Sequence, residues 1–247
     1  MYFNRMKFFN TLRFKMLKSK RFSNYLVYAT GEIILVVIGI LIALWINNWN
    51  TEQQIERANR SLQDKVLAQL ERDIISVDNF RKELDTLDHV YLKYLNRDYD
   101  EQKTVGKNVY SLILFEVTEL GLDTQAINWI DNAILEDSKT SEKLLDLSGM
   151  YKLYFKNIND IESIIYKKLT RNLEILEATQ PWYTELITDF NCKTDCVTYL
   201  SGDVDHKARI ASLRFLYIKG YGEIANGFSY DLKDIRSELQ TLMRTKE

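Results

Sequence analysis

The sequence predicts an all-α protein: one N-terminal transmembrane helix followed by an extracytoplasmic helical bundle with long antiparallel helices. Three observations predict it. The run Leu26–Ile46 is apolar over 21 residues and holds one charge, Glu32. Beyond Asn50, apolar residues recur at three- and four-residue steps, the period of a helix face. Glycine and proline are scarce, nine and one in 247 residues, and no strand-like alternation persists. The chain therefore divides into a basic leader over 1–25, a transmembrane helix over 26–46 and a helical domain over 47–247.

The apolar run comes first. At 1.5 Å per residue, about 20 residues cross a hydrocarbon core of roughly 30 Å. A cleaved signal peptide fits poorly. The run exceeds an h-region of about 7–15 residues, and no small-x-small site follows Ala43-Leu44-Trp45-Ile46. An uncleaved signal-anchor is expected. Trp45 and Trp49, among Asn47, Asn48 and Asn50, suit the outer interface; Asn24, Tyr25 and Tyr28 suit the inner one.

The next elements follow in order. Leu62, Val66, Leu70, Ile74, Val77, Phe80, Leu84, Leu87, Tyr91 and Tyr94 form one stripe on a long helix. No Gly or Pro lies between Gly39 and Gly106, so the span can run on into this helix. The charged stretch 96–107 breaks it. A second helix is expected over 108–120, stopped by Gly121, and a third from an Asp123 cap to about Glu136. A long helix over 141–178 turns Leu144, Leu147, Tyr151, Tyr154, Phe155, Ile158, Ile161, Ile165 and Leu169 inward. Pro181 suits the first turn of a short helix through Phe190. Residues 192–205 read as a loop. Two last helices are expected, from His206 to Gly220 or Asn226 and from Ser229 to Arg244.

Charge sets the orientation. Arg5, Lys7, Arg13, Lys15, Lys18, Lys20 and Arg21 precede the span with no acidic residue among them. Such flanks stay cytoplasmic. Setting those seven aside leaves 26 basic residues against 35 acidic, so the remainder is acidic. An acidic domain argues against nucleic acid as a partner. Phe3, Met6, Phe9, Met16 and Leu17 recur among the cations. The leader is thus either an amphipathic helix on the inner leaflet or an unstructured topogenic segment.

The segment from Asn24 to Leu44, followed by Ile46-Asn47-Asn48-Trp49-Asn50, resembles the opening of an uncharacterised family of bacterial membrane proteins. That family has a G-E-I-x-L-V-x-I-G-I-L-I-A-L-x-I-N-N-W-N span and is known as a domain of unknown function. The resemblance is specific over about residues 22–50 and loose elsewhere. The closing stretch Asp203–Lys246 is similar to it in style. The resemblance implies a bacterial cytoplasmic membrane and an extracytoplasmic domain, which agrees with the single pass and inside N-terminus read from the apolar run and the leader charge. It implies no activity and no catalytic residue.

Within the span, Gly31, Leu35, Gly39 and Ala43 fall every fourth residue on one face. Small residues there let a second helix approach closely. They equally fit the ordinary composition of a span. Glu32 is a carboxylate at or near the hydrocarbon. About 25 Å of helix follows it before Trp49, which suits the inner headgroup boundary. A contact to another membrane subunit, or a proton-coupled role, is the competing reading.

The two cysteines, Cys192 and Cys196, lie four residues apart in the outer domain. A local disulfide is the default in an oxidising compartment. C-x₃-C is neither the C-x-x-C redox motif nor, with Asp203, Asp205 and His206, a known metal spacing. Of the two histidines, His89 falls on the charged part of the first long helix, where a solvated role is expected. No nucleophile elbow, zinc motif, phosphate loop or dinucleotide glycine pattern occurs. Phe215, Tyr217, Tyr221, Phe228 and Tyr230 could line a pocket; bundle core is the expected role.

No cofactor, metal or catalytic residue is expected. The leading expectation is a non-enzymatic scaffold or accessory subunit of a membrane complex. Its partners would be the lipid bilayer and, through the span, a second copy of the chain or another membrane protein. The alternatives are a sensor-like ligand-binding module that signals through a partner, its cytoplasmic side of about 25 residues carrying no output domain, and a membrane-tethered hydrolase.

Overall fold

The computed structural model describes residues 20–95, 109–189, 192 and 194–244. Among these there is no strand. The chain forms two compact units, Met1–Ala58 and Asn59–Glu247. The leader cations Arg5, Lys7, Arg13, Lys15 and Lys18, with Phe3, Met6, Phe9, Met16 and Leu17, lie outside the described residues. So do the expected break at 96–107 and the side chains of Lys20, Arg21, Asn24 and Tyr25.

Helix α1, Lys20–Leu95, supplies helix to both units. The helix passes through Asn47–Asn50, since asparagine costs less than about 1 kcal/mol in helix propensity and no Gly or Pro intervenes. In the first unit the apolar residues from Leu26 to Trp49 face outward, leaving a helix long and apolar enough to cross a membrane.

The second unit is built on the stripes read above. Leu62, Val66, Leu70, Ile74, Val77, Phe80, Leu84, Tyr91 and Tyr94 of α1 are buried, with Leu87 half-buried beside them. Each such burial removes enough apolar surface to contribute about 1.5–3 kcal/mol. Helix α4, Lys139–Thr179, buries Leu144, Leu147, Tyr151, Ile158, Ile161, Ile165 and Leu169. It packs against α2, Val109–Phe115, and α3, Gln125–Asp131. It also packs against the closing helical arm, made of α7, Val204–Phe215, a π-helical segment, Leu216–Tyr221, and α8, Gly222–Arg244. The arm runs antiparallel to α1, because Asp78 meets Lys233, Arg81 meets Asn226 and Asp88 meets Arg214. It runs antiparallel to α4 as well: Lys143 meets Glu238 and Tyr154 meets Asp231.

Several expected boundaries move. The second helix stops at Phe115, not at 120, and 116–124 carries no regular structure. Its backbone donors bond to tyrosine hydroxyls instead: Thr118 N–H to Tyr217 (3.3 Å) and Leu120 N–H to Tyr221 (2.8 Å). The third helix starts at Gln125, whose N–H donates to Asp123 Oδ1 (2.9 Å), and ends at Asp131 rather than near 136. Helix α4 begins at Lys139, not Ser141, because Ser138 caps it by accepting from Ser141 N–H (3.2 Å). Pro181 lies in a turn before α5, Tyr183–Asp189, rather than in its first turn.

Two expectations are overturned outright. Residues 192–205 are not a loop: they contain α6, Thr194–Gly202, with Cys196 and Leu200 buried one turn apart. Asp203 then caps α7, accepting from His206 N–H. Nor does the closing arm break between Gly220 and Ser229. Helical structure is unbroken from Val204 to Arg244. A Cβ at Gly220 would lie 2.8 Å from Ile161 Cδ1, and one at Gly227 would lie 3.0 Å from Tyr154 Oη. These glycines let two helices approach rather than end one.

Candidate functional site

In the first unit, the sequence-predicted residues lie on one helix, facing away from protein. Gly31, Glu32, Leu35, Gly39, Ala43, Trp45 and Trp49 are all exposed, Leu35 to 73 % and Trp45 to 69 %. A Cβ built on Gly31 or Gly39 meets nothing within 4 Å. Helical geometry puts Gly31, Leu35, Gly39 and Ala43 along one side, since residues four apart are neighbours on a helix surface. Tyr28 is exposed too.

In the second unit, Cys192 and Cys196 are disulfide-bonded, their Cα atoms 5.3 Å apart. The bond ties the start of α6 to the residue two before it. His89 is exposed on α1, but His206 is completely buried. Tyr217, Tyr221 and Phe228 are core residues, whereas Phe215 and Tyr230 are exposed to 63 % and 71 %.

The sequence reading missed a line of buried polar groups along α1. Asn59 donates to the Ile134 carbonyl (2.9 Å). Asp73 accepts from Tyr151 Oη (2.6 Å) and from Gln69 Nε2 (2.8 Å). Burial lifts the Asp73 carboxyl above its usual range and the Asp123 charge adds to this, while the Tyr151 and Gln69 bonds oppose it. Asp78, partly exposed, takes Ser229 Oγ and Lys233 Nζ, each at 2.8 Å. Burial there acts upward, but the Lys233 and Ser229 bonds and the Lys233 charge outweigh it and lower the carboxyl. A stripe of apolar residues with polar members at helical spacing is the only hint the sequence holds of this line.

The π-helical segment lies among several titratable groups. Tyr221 Oη donates to Glu162 while accepting the Leu120 N–H. The Glu119 charge reaches both Tyr166 and Glu162. Burial first, then Glu119, raises the Glu162 carboxyl. Burial also pushes Tyr217 up to about 12. A π-helical turn inserts a residue into the helix and re-aims its side chains, and such turns are frequent at functional sites. Here it directs two tyrosines onto the irregular segment 116–124.

Beside it opens a surface cleft of about 700 Å³, with Leu120, Leu122, Phe155 and Ile158 as walls and Glu162 at one side. Its lysines are engaged, Lys152 with Asp131 (2.8 Å) and Lys156 with Asp160 (2.7 Å). A second cleft, about 510 Å³, lies between α4 and α8, where Lys143 is bound to Glu238 and Asp146. A third, about 630 Å³, is walled by Pro181 and the Trp182–Tyr199 ring pair. Among the described residues, no group of three or more His, Cys, Asp or Glu side chains is placed to hold a metal ion.

Residues 32–103 match the model of a family of unknown function (DUF6090). No curated protein and no solved structure matches the chain.

Proposed function

We propose that this is a single-span protein of a bacterial cytoplasmic membrane, its basic leader inside and its helical unit outside. It acts as a non-enzymatic scaffold or accessory subunit. The observation that carries the reading is the outward-facing apolar helix. Leu26 to Trp49 places side chain after side chain where no protein covers it. An apolar surface of that extent in water is unfavourable at about 25 cal/mol per Å², and a bilayer removes the cost. Leader charge supports the topology, since the seven cations favour the inner side. The Cys192–Cys196 bond supports an oxidising side for the helical unit. Within the clefts Lys156 pairs with Asp160 and Lys143 with Asp146 and Glu238, which favours assembly over chemistry.

Two measurements test this. Protease added to intact spheroplasts should digest the helical unit and spare the leader; a protected unit, or full-length protein in the aqueous fraction, sinks the topology. Mild-detergent purification should retain an oligomer or a membrane partner. Replacing Gly39 and Ala43 together by leucine should weaken that association at least tenfold, since bulk on that face prevents close helix approach. A monomer that purifies alone in both forms ends the scaffold reading.

One observation favours a second reading, a ligand-binding module: the cleft beside Glu162 joins apolar walls to a raised carboxyl. A metabolite screen by thermal shift, repeated with Glu162→Gln, separates the two. A stabilising compound whose effect depends on Glu162 supports the module.

A further inference from the structure

The side chain least expected from the sequence is His206. It sits in the first turn of α7, completely buried, in a corner made by three elements. From α1, Tyr94 Oη lies 2.8 Å from Nε2. The same hydroxyl donates to the Leu200 carbonyl of α6 at 2.7 Å. From α6, the Tyr199 ring stands 5.8 Å from the imidazole, centre to centre. The other ring nitrogen, Nδ1, has no hydrogen-bond partner among the described residues.

These contacts fix the proton. Tyr94 has one hydroxyl hydrogen, and Leu200 O, a pure acceptor, takes it. Nε2 must then be the imidazole donor, and Nδ1 carries a buried lone pair. A second proton can enter only at Nδ1, where it would create a buried cation with nothing to accept from it. Four features of the surroundings add to that cost. Burial is the largest, and Arg209 and Lys207 on the same helix repel the added charge. The first turn of α7 also presents the positive end of a helix dipole. Asp203 acts in the opposite sense, but it is already occupied as the α7 cap. The α1 and α6 neighbours named here are phenols, and α4 reaches this corner through Asn172, a neutral amide that accepts from Arg209 Nε. The balance lowers the imidazole to about 4.

We propose that His206 is an acid-released latch: protonation at its buried Nδ1 expels the ring and loosens the α6–α7 junction from α1. The ring is the piece that α1 and α6 share, through one tyrosine hydroxyl. Its departure removes one of the two hydrogen bonds that join the Tyr94 hydroxyl to this corner. The Cys192–Cys196 bond lies at the far end of α6 and limits how far that helix can move once released. The latch does not depend on which side of a membrane the unit occupies.

The direction follows from linkage. A histidine held below its free value of 6.5 binds fewer protons closed than open. The closed state is therefore fully favoured above about pH 6.5 and weakens as pH falls toward 4. Between pH 7 and 5 the opening constant should rise roughly twentyfold. Hydrogen exchange on the full chain in detergent micelles, corrected for intrinsic rates, reads this directly. Amides from Leu200 to Ile210 should exchange about twentyfold faster at pH 5, while those from Leu62 to Leu84 should not. Equal acceleration in both segments means global unfolding and overturns the latch. His206→Gln, which still offers a donor to Tyr94 and does not titrate, should abolish the pH dependence; persistence of the dependence overturns it as well. Should that variant fail to fold, the imidazole resonances of the unaltered chain decide. His206 must titrate near pH 4, with exposed His89 as companion in the same spectrum. A midpoint at the ordinary histidine value overturns the proposal.

Discussion

Glycine shows how one residue type takes opposite roles in this chain. Gly149 sits exposed inside α4, and a Cβ there meets nothing within 4 Å. Gly149→Ala should raise stability by about 1 kcal/mol, since glycine has the larger entropy to lose. Denaturant midpoints of the two proteins measure it. Gly227→Ala should give no such gain, because its Cβ presses on the Tyr154 hydroxyl that Asp231 holds. Asp73 poses the same kind of local question for charge. Its carboxylate has two neutral donors, and no cation among the described residues is bonded to it. Tyr151→Phe removes one donor and should cost about 1.5–3 kcal/mol, the worth of a hydrogen bond to a charged group. The sign of the pH effect is opposite to that at His206. A raised carboxyl binds protons more readily folded than unfolded, so its contribution is present at low pH and declines as pH rises through the folded value.

At the scale of elements, the closing arm carries most of the surprises. Three glycines and several β-branched or aromatic residues suggest a break, yet helix continues through a π-helical turn. That turn lets Tyr217 and Tyr221 serve as hydrogen-bond partners for a segment with no regular structure of its own. Tyr221→Phe should therefore act at a distance in sequence. Hydrogen exchange across 116–124 should accelerate by about tenfold or more, while α8 amides stay protected. Protection of 116–124 unchanged in the variant means that packing by Leu120 and its neighbours holds the segment. The amphipathic helices α1 and α4 behave more simply, since their stripes are continuous and one-sided.

For the molecule as a whole, stability rests on a helical core with polar groups set along one of its main helices. The disulfide adds little to that core. It closes five residues, which in the chain-entropy model contributes about 2 kcal/mol. Reduction should then lower the thermal midpoint by only about 4–8 °C, taking roughly 2–4 °C per kcal/mol at this size. A far larger fall means that the bond holds α6 in its fold. Calorimetry with and without reductant compares the two.

The helical class, the apolar stretch and the inward faces of α1 and α4 were all legible in the sequence. Each of these is a local periodicity, written in residues close together along the chain. The sequence did not determine where 116–124 loses its helix, why α6 forms, or why the closing arm stays intact across its glycines. Those outcomes depend on partners about a hundred residues away for Thr118 and Leu120, and some sixty away for Gly220. The same holds for His206, which looked like one polar residue at a helix start. Only packing against Tyr94 and Tyr199 made it a buried base with one nitrogen unpartnered. Propensity is additive along a chain, whereas burial and hydrogen-bond satisfaction are set by what folds against it.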